Sequence, residues 1–480
     1  MAKTLTIQPV TRIEGHAKVQ IDLDDAGNVQ DTRLGITLLR GFEEFCKRRP
    51  IEEMPRITTS ICGVCPVSHH LAAAKAADAC LGVTPPPAGR KLRELLNSFA
   101  YTEEHLLHFY FLAAPDFIMG PDAHYKTRNI FGIIKKMPEV AQKVSRTRVL
   151  ANHAVEVIGG RSIHPVAATP GGMSKPLSKD ERDKLKGWAK QIQELAEFSI
   201  KYAKDNVFPK YIDAVKTLGV IKTGFMGTVD EHGALDLYDG KIRLMKADGT
   251  HTDFPDTEYD KHIREHVEPW SYMKFPYAPE IGPFSLEPDS PGGIYRTNTL
   301  ARLNTCEKIR TPLANAELSE FRKLFGRPAQ LTLLYHWARL IELLYNAEYV
   351  NVLLDDPEIT SNDTRTLCKP RAGRGVGHTE APRGTLIHEF RTDDRGLVTY
   401  ANLIVGTTHN NAPMNMSVKQ AARALIKDGN YDETILNEVE MTIRAYDPCL
   451  SCATHNLDGT VAVQVDINDS KGRLLNSYRN

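Results

Sequence analysis

Cysteine is scarce in this chain. Eight cysteines in 480 residues are too few for a disulfide scaffold. An excess of charge of one sign is also missing. Sixty basic residues stand against 60 acidic ones, so the formal net charge is zero. That balance argues against nucleic acid or an anionic membrane as the main partner. No apolar run is long enough to span a bilayer. The opening stretch MAKTLTIQPV has no apolar signal core. The cytoplasm, which keeps thiols reduced, is the expected compartment. Internal repeats and low-complexity segments are absent too, which excludes solenoids and arrays.

What is present is an ordinary globular composition, 41% apolar and 25% charged. A chain of this length buries most of its apolar surface without staples. In GHAKVQIDLDDAGNVQ, Ala17, Val19, Ile21 and Leu23 alternate with polar residues before an Asp-Ala-Gly-Asn turn, which predicts an N-terminal hairpin or meander. Pro66 suits a first helical position, and HHLAAAKAADAC then predicts helix up to Gly82. RKLRELLNSFAYTEEHLLHFYFLAA reads as a long helix, with Asp116 just beyond it. Ser178 and Glu181 form a capping-box pattern ahead of another helix, running to about Asn206. Two Asp-Gly turns between alternating runs place a small β insertion at about 220–255. Residues 256–300 read as irregular, and LTLLYHWARLIELLYNAEYVNVLL as a central helix. Residues 370–415 are rich in Gly, Arg, Thr and Asn, with one strand predicted in LVTYANLIV. A last helix, DETILNEVEMTIRAY, stops at Asp447-Pro448. The expected class is mainly α, of α+β type: a large helix-bundle core with small β elements at the N-terminus and in the mid-chain insertion.

Four of the eight cysteines form two CxxC pairs, SICGVCPVSHH and DPCLSCATH, near opposite ends of the chain. The other four, Cys46, Cys80, Cys306 and Cys368, are scattered and read as small buried side chains. Two CxxC pairs read first as tetrahedral zinc. Three features weigh against zinc. The pairs are far further apart than the roughly 15–20 residues of a zinc ribbon. One pair opens a helix and the other follows one. Both also have polar company that a structural zinc does not need: Glu14, Glu43, Arg383, His69 and His455. Four thiolates suit a borderline transition metal, and on ligand chemistry alone nickel is as reasonable as zinc.

The motifs TRIEGH, RGFE, SICGVCPVSH, GGRSIHP, EAPRGTL and DPCLSCATH follow one another from residue 11 to 455. In these the chain resembles the large, catalytic subunit of [NiFe] hydrogenases, in its cytosolic multimeric branch; LIVGTTHNNAPMN, with Gly406 and His409, marks the branch. The resemblance implies the [NiFe] large-subunit fold over residues 1–455 as one domain. It implies that 456–480 is a maturation extension removed after His455, and TVAVQVDI within it has a strand pattern at Val461, Val463 and Val465.

It further implies nickel held by Cys62, Cys65, Cys449 and Cys452, with Cys65 and Cys452 bridging to an iron that carries carbon monoxide and cyanide. Arg383 and Thr407 match cyanide donors, Leu386 packs beside them, and His69 bonds a bridging sulfur. Glu43, the Leu403 carbonyl and His455 match the ligands of magnesium or another divalent ion. Glu14 matches a proton-relay carboxylate, and Asp116 and Asp447 match acidic residues beside Arg383. The implied partners are a small subunit with a [4Fe-4S] cluster and further flavin or iron–sulfur subunits. Electrons from H2 would then reach NAD, ferredoxin or a heterodisulfide reductase.

Splitting dihydrogen into unlike halves needs a metal and a base. Cys449 is a candidate base and Glu14 an onward carrier. Arg383 is a rival base, although arginine is normally always charged. Glu14 has a plain reading as a surface or capping carboxylate, and Glu43 as the ion-pair partner of Arg40. His70, His105 and His108 carry no assignment, and His164 reads as packing. The rival functions are a zinc-stabilised scaffold and a respiratory quinone-reductase subunit, which lacks the four cysteines.

Overall fold

The alternation at the N-terminus produces strand. In this computed structural model, which describes residues 3–454, 464–468 and 473–479, Lys3–Ile7 (β1), Ala17–Leu23 (β2) and Val29–Ile36 (β3) form an antiparallel sheet. Along β2 every second side chain is buried, Ala17, Val19, Ile21 and Leu23.

The helices carry the bulk of the core. Pro66–Leu81 (α1) starts on its proline and ends at Gly82, whose φ of 64° only glycine adopts freely. Pro87–Leu107 (α2) continues through two π-type turns to Met119. Pro138–Gly159 (α3) and Lys179–Asn206 (α4) follow, and Ser178 and Glu181 make both bonds of the capping box.

Gly224–Val229 (β4), Lys241–Met245 (β5), His251–Phe254 (β6) and Tyr295–Arg296 (β7) build a small sheet in the order β7-β4-β5-β6. Thr299–Thr305 (α5) leads to Tyr335–Asp355 (α6), a helix buried on nearly all sides. It packs against α2 and α4, with α3 completing the bundle.

Where one strand is predicted between 370 and 415, there are three. Gly373–Ala381 (β8), Gly384–Thr392 (β9) and Val398–Ile404 (β10) form an antiparallel sheet. The first two show no alternation because both their faces are covered. The alanine-rich α1 lies directly on β8. A Cβ on Gly375 would come within 2.1 Å of the Ala76 carbonyl, and one on Gly377 within 2.3 Å of the Ala76 nitrogen. Small residues on both sides therefore bring the N-terminus of α1 down beside the β8–β9 turn.

Asn411–Leu425 (α7) and Glu433–Ala445 (α8) close the main body. Beyond it, Gln464–Asn468 (β11) pairs antiparallel with Leu474–Arg479 (β12). Val465 lies on β11, while His455, Val461 and Val463 fall outside the described residues. No helix among the described residues is long and apolar enough to cross a membrane.

Candidate metal centre

The two cysteine pairs reach one point by different local routes. After a 3-10 turn at Thr58–Ile61, Cys62 is extended, and Cys65 caps α1 with Pro66 at the first helical position. The amides of Val64 and Cys65 donate to Cys62 Sγ at 3.3 and 3.1 Å. At the other end, Asp447 takes a left-handed φ of 51° after α8. Aspartate tolerates this better than most residues. The reversal lets Cys449 begin a single helical turn, Leu450–Ala453. Two partners fix that turn: Thr407 Oγ1 accepts from the Cys449 amide at 3.1 Å, and the Glu14 carbonyl accepts from Leu450 N at 3.1 Å.

The four sulfurs converge. Cys62 Sγ is 3.3 Å from Cys449 Sγ, Cys65 Sγ is 3.8 Å from Cys452 Sγ, and Cys449 and Cys452 are 2.8 Å apart. All four are buried and lie within 4.8 Å of one another, a donor set that could hold a metal ion. Hydrogen bonds from Cys449, Cys452 and Cys65 pull the Cys62 thiol well below its ordinary range. Burial pushes Cys449 well up and Cys452 to about 11. The four sulfurs thus hold protons unequally, and a metal held by them displaces those that remain.

Arg383 leans over this cluster from the turn between β8 and β9. It is 3% exposed, and its Nη1 donates to Glu104 Oε2 at 2.5 Å while Nη2 lies 3.2 Å from Asp447 Oδ1. Burial opposes its charge, but Asp447, Glu104 and the cysteines hold the guanidinium protonated. Burial pushes the carboxyls of Glu104 and Asp447 up. Asp116 is not beside Arg383, contrary to the expectation from its motif. The π-type turns after α2 carry Asp116 to another site, where it accepts from Arg12, Asn437 and Arg444 Nε, the last at 2.9 Å. Glu104, one helical turn before the end of α2, takes the place expected of it. With Glu103 and His105 beside it in the sequence, Glu104 carries no local signal that would have singled it out.

Of the other expected residues, Leu386 is buried in the same apolar group as the four cysteines. His69, in the first turn of α1, has Nδ1 3.2 Å from His388 Nε2 on β9, and burial lowers it to about 4, so it is neutral. Among described residues, His69 Nε2 and Arg383 Nε are buried without a protein partner. The Glu14 carboxylate accepts from both the amide and the hydroxyl of Ser451.

Glu43 and the Leu403 carbonyl come together through Arg40, which donates to them at 2.8 and 3.1 Å and to the Cys452 carbonyl at 2.7 Å. The plain reading of Glu43, as the partner of Arg40, is therefore realised in the geometry. His455, the third expected ligand there, lies outside the described residues.

Comparison with known proteins points one way. Residues 40–145 and 314–455 match the nickel-dependent hydrogenase family, and residues 4–39 match a family described as HoxL-like. The chain is 47% identical over 479 residues to an F420-non-reducing hydrogenase subunit of Methanothermobacter thermautotrophicus, covering 98% of this chain and 99% of that one. It is 37% identical over 493 residues to the NAD-reducing hydrogenase HoxS subunit beta of Cupriavidus necator, covering 99% of each. A crystal structure of an NAD+-reducing [NiFe]-hydrogenase in the H2-reduced state superposes with a TM-score of 0.89 at 42% identity, covering 94% of this chain and 99% of that one.

Proposed function

Because this chain belongs to the nickel-dependent hydrogenase family, we propose that its four-cysteine cluster is where dihydrogen is split into two protons and two electrons. The chain is the catalytic subunit of a hydrogenase, an oxidoreductase acting on H2. One observation carries the reading: Cys62, Cys65, Cys449 and Cys452, from opposite ends of the chain, meet in one buried cluster. Their soft sulfur donors fit nickel, and Cys65 and Cys452 would also hold an iron. When bound, a nickel–iron centre supplies the redox-active Lewis acid that heterolytic splitting requires.

The chain's own residues do the rest. Cys449 Sγ, the cluster sulfur whose backbone is bridged to Glu14, takes the proton. Glu14, bridged to Cys449 through the backbone, carries it onward. Arg383 is a donor rather than a base, because its neighbours keep it charged. Its free Nε suits small anionic ligands such as cyanide on an iron, and the unpartnered Nε2 of His69 would serve a bridging sulfur. Thr407, held against the Cys449 amide, and Leu386, packed in the cysteines' apolar group, would hydrogen-bond and pack against the same ligands. Glu43 and the Leu403 carbonyl are hard oxygen donors for magnesium or another divalent ion near His455.

The relatives are subunits of larger enzymes, and this chain has no other cysteine cluster among its described residues to lead electrons away. It works with a small subunit carrying a [4Fe-4S] cluster, and with further flavin or iron–sulfur subunits. All eight cysteines are free, in keeping with the cytoplasm. Residues 1–455 act as one domain, and 456–480 are removed on maturation. Hydrogen-dependent reduction of a soluble dye by the purified complex tests the activity. A complex that holds zinc and reduces no dye would be a scaffold instead.

A further inference from the structure

We infer that Arg302 is a positioning residue for this reaction: it clamps the two backbone carbonyls ahead of Arg383 and so sets where that guanidinium stands. The inference rests on the reading of Arg383 as the donor at the metal site.

Arg302 lies on α5, and its side chain is 0% exposed. All its donors are used. Nε and Nη2 grip Glu342 of α6 at 2.7 and 2.8 Å, and Nη1 meets Glu380 at 2.8 Å. The remaining two hydrogens go to the carbonyls of Ala381 and Pro382, at 2.9 and 3.0 Å. These are the last two residues before Arg383. Glu380 is itself held by the hydroxyls of Thr228 and Thr385, each at 2.8 Å. Asn410 Nδ2 takes the next carbonyl, that of Arg383, at 3.2 Å.

The clamp closes into a ring. His105 Nε2 is 3.1 Å from Glu342. Burial lowers the His105 pKa to about 4, so the ring is neutral and donates through Nε2. Its neighbour on α2 is Glu104, which receives the Arg383 guanidinium. Adjacent residues of one helix therefore hold both ends of Arg383: the head directly through Glu104, and the backbone through His105, Glu342 and Arg302.

Stability alone is a poor reason for this arrangement. Buried ion pairs are often no more stabilising than well-packed apolar residues of the same volume. What they add is a fixed geometry. A planar fork with five hydrogens can bind two carboxylates and two carbonyls at once, whereas lysine has three hydrogens on a point charge.

The test is a double-mutant cycle in the purified holoenzyme, with Arg302→Lys and Arg383→Lys made singly and together. Arg302→Lys alone should lower dye-linked hydrogen oxidation about a hundredfold, with nickel and iron content unchanged. In the Arg383→Lys background the same change should cost no more than about twofold, because the two residues act as a unit. The nickel electron paramagnetic resonance signal of Arg302→Lys should shift in the same sense as that of Arg383→Lys. If Arg302→Lys does not fold, Glu342→Gln carries the same cycle, since it keeps the shape and loses the charge. Equal fold-losses in both backgrounds, or a wild-type resonance signal in Arg302→Lys, would overturn the inference. If Arg383→Lys alone keeps full turnover, it is the reading of Arg383 that fails. The match of resonance signals then still decides whether Arg302 positions it.

Discussion

Glu104 Oε2 and Arg383 Nη1 meet at 2.5 Å, with both side chains buried. Asp447 is the only other carboxylate hydrogen-bonded to this guanidinium among the described residues. Glu104→Ala should therefore leave Arg383 held on one side. Turnover should fall about tenfold or more while both metals stay bound, because small misplacements near a reacting centre are costly. Asp116→Asn, which alters a different arginine cluster, should affect thermal stability more than the nickel signal. If the two variants behave alike in spectroscopy, Glu104 has no special part.

Glu14→Gln keeps the shape and one acceptor oxygen for the Ser451 amide, while the Ser451 hydroxyl can turn to accept from the new amide group, but it cannot carry a proton. The metal site should assemble normally. Turnover with dye and deuterium–proton exchange with water should both fall by about a hundredfold or more. Para-to-ortho hydrogen conversion, which needs no proton escape, should survive. Glu14→Asp should lie between, as its carboxylate is withdrawn by one methylene. Near-wild-type turnover in Glu14→Gln would remove this residue from the proton path.

His70 offers a pH test. Its Nδ1 donates to the Pro55 carbonyl at 2.7 Å and its Nε2 accepts from the Ala168 amide at 2.9 Å, so both nitrogens are committed to the neutral ring. Burial lowers its pKa from 6.5 to about 4. The folded value lies below the unfolded one, so the unfolded state binds more protons between these limits. The stability it contributes is complete above pH 6.5, is lost as pH falls, and levels off near pH 4. The slope is about 1.4 kcal/mol per pH unit for one such group. Calorimetry of wild type and His70→Gln should show a shallower acid loss in the variant. Identical pH profiles would mean that His70 does not carry this linkage.

The cysteine cluster was legible because CxxC spacing and its flanks are local features, and helix α1 was legible because Pro66 and Gly82 mark its ends. Three things were not. Strands β8 and β9 are covered on both faces, so their Gly-rich sequence shows no period of two. Glu104 and Asp116 stand on the same side of sequence reasoning, each a carboxylate near an apolar helix. Only the path of the chain through the π-type turns tells which one faces Arg383. Arg302 lies in a helix of seven residues with no motif around it, and its role depends on carbonyls from a distant hairpin. Pairings of this kind are set by tertiary packing and leave no mark in local spacing.

Cleavage of the tail is tested by mass. Thr454 and the residues before it are buried, with Thr408 Oγ1 donating to the Ala453 carbonyl at 2.7 Å. The chain is thus still buried at Thr454, directly before His455. Active enzyme should have an intact mass corresponding to a chain that ends at His455. Full-length mass in a fully active preparation would show that the extension is retained.

The metal content of the purified enzyme tests the central claim most directly. Wild-type protein should hold nickel and iron in equal amounts, with infrared bands from carbon monoxide and cyanide. Cys65→Ala and Cys452→Ala should each lose both metals, since in the proposed centre each sulfur would serve both. Zinc alone in the wild type, or full nickel and iron in either variant, would contradict the account.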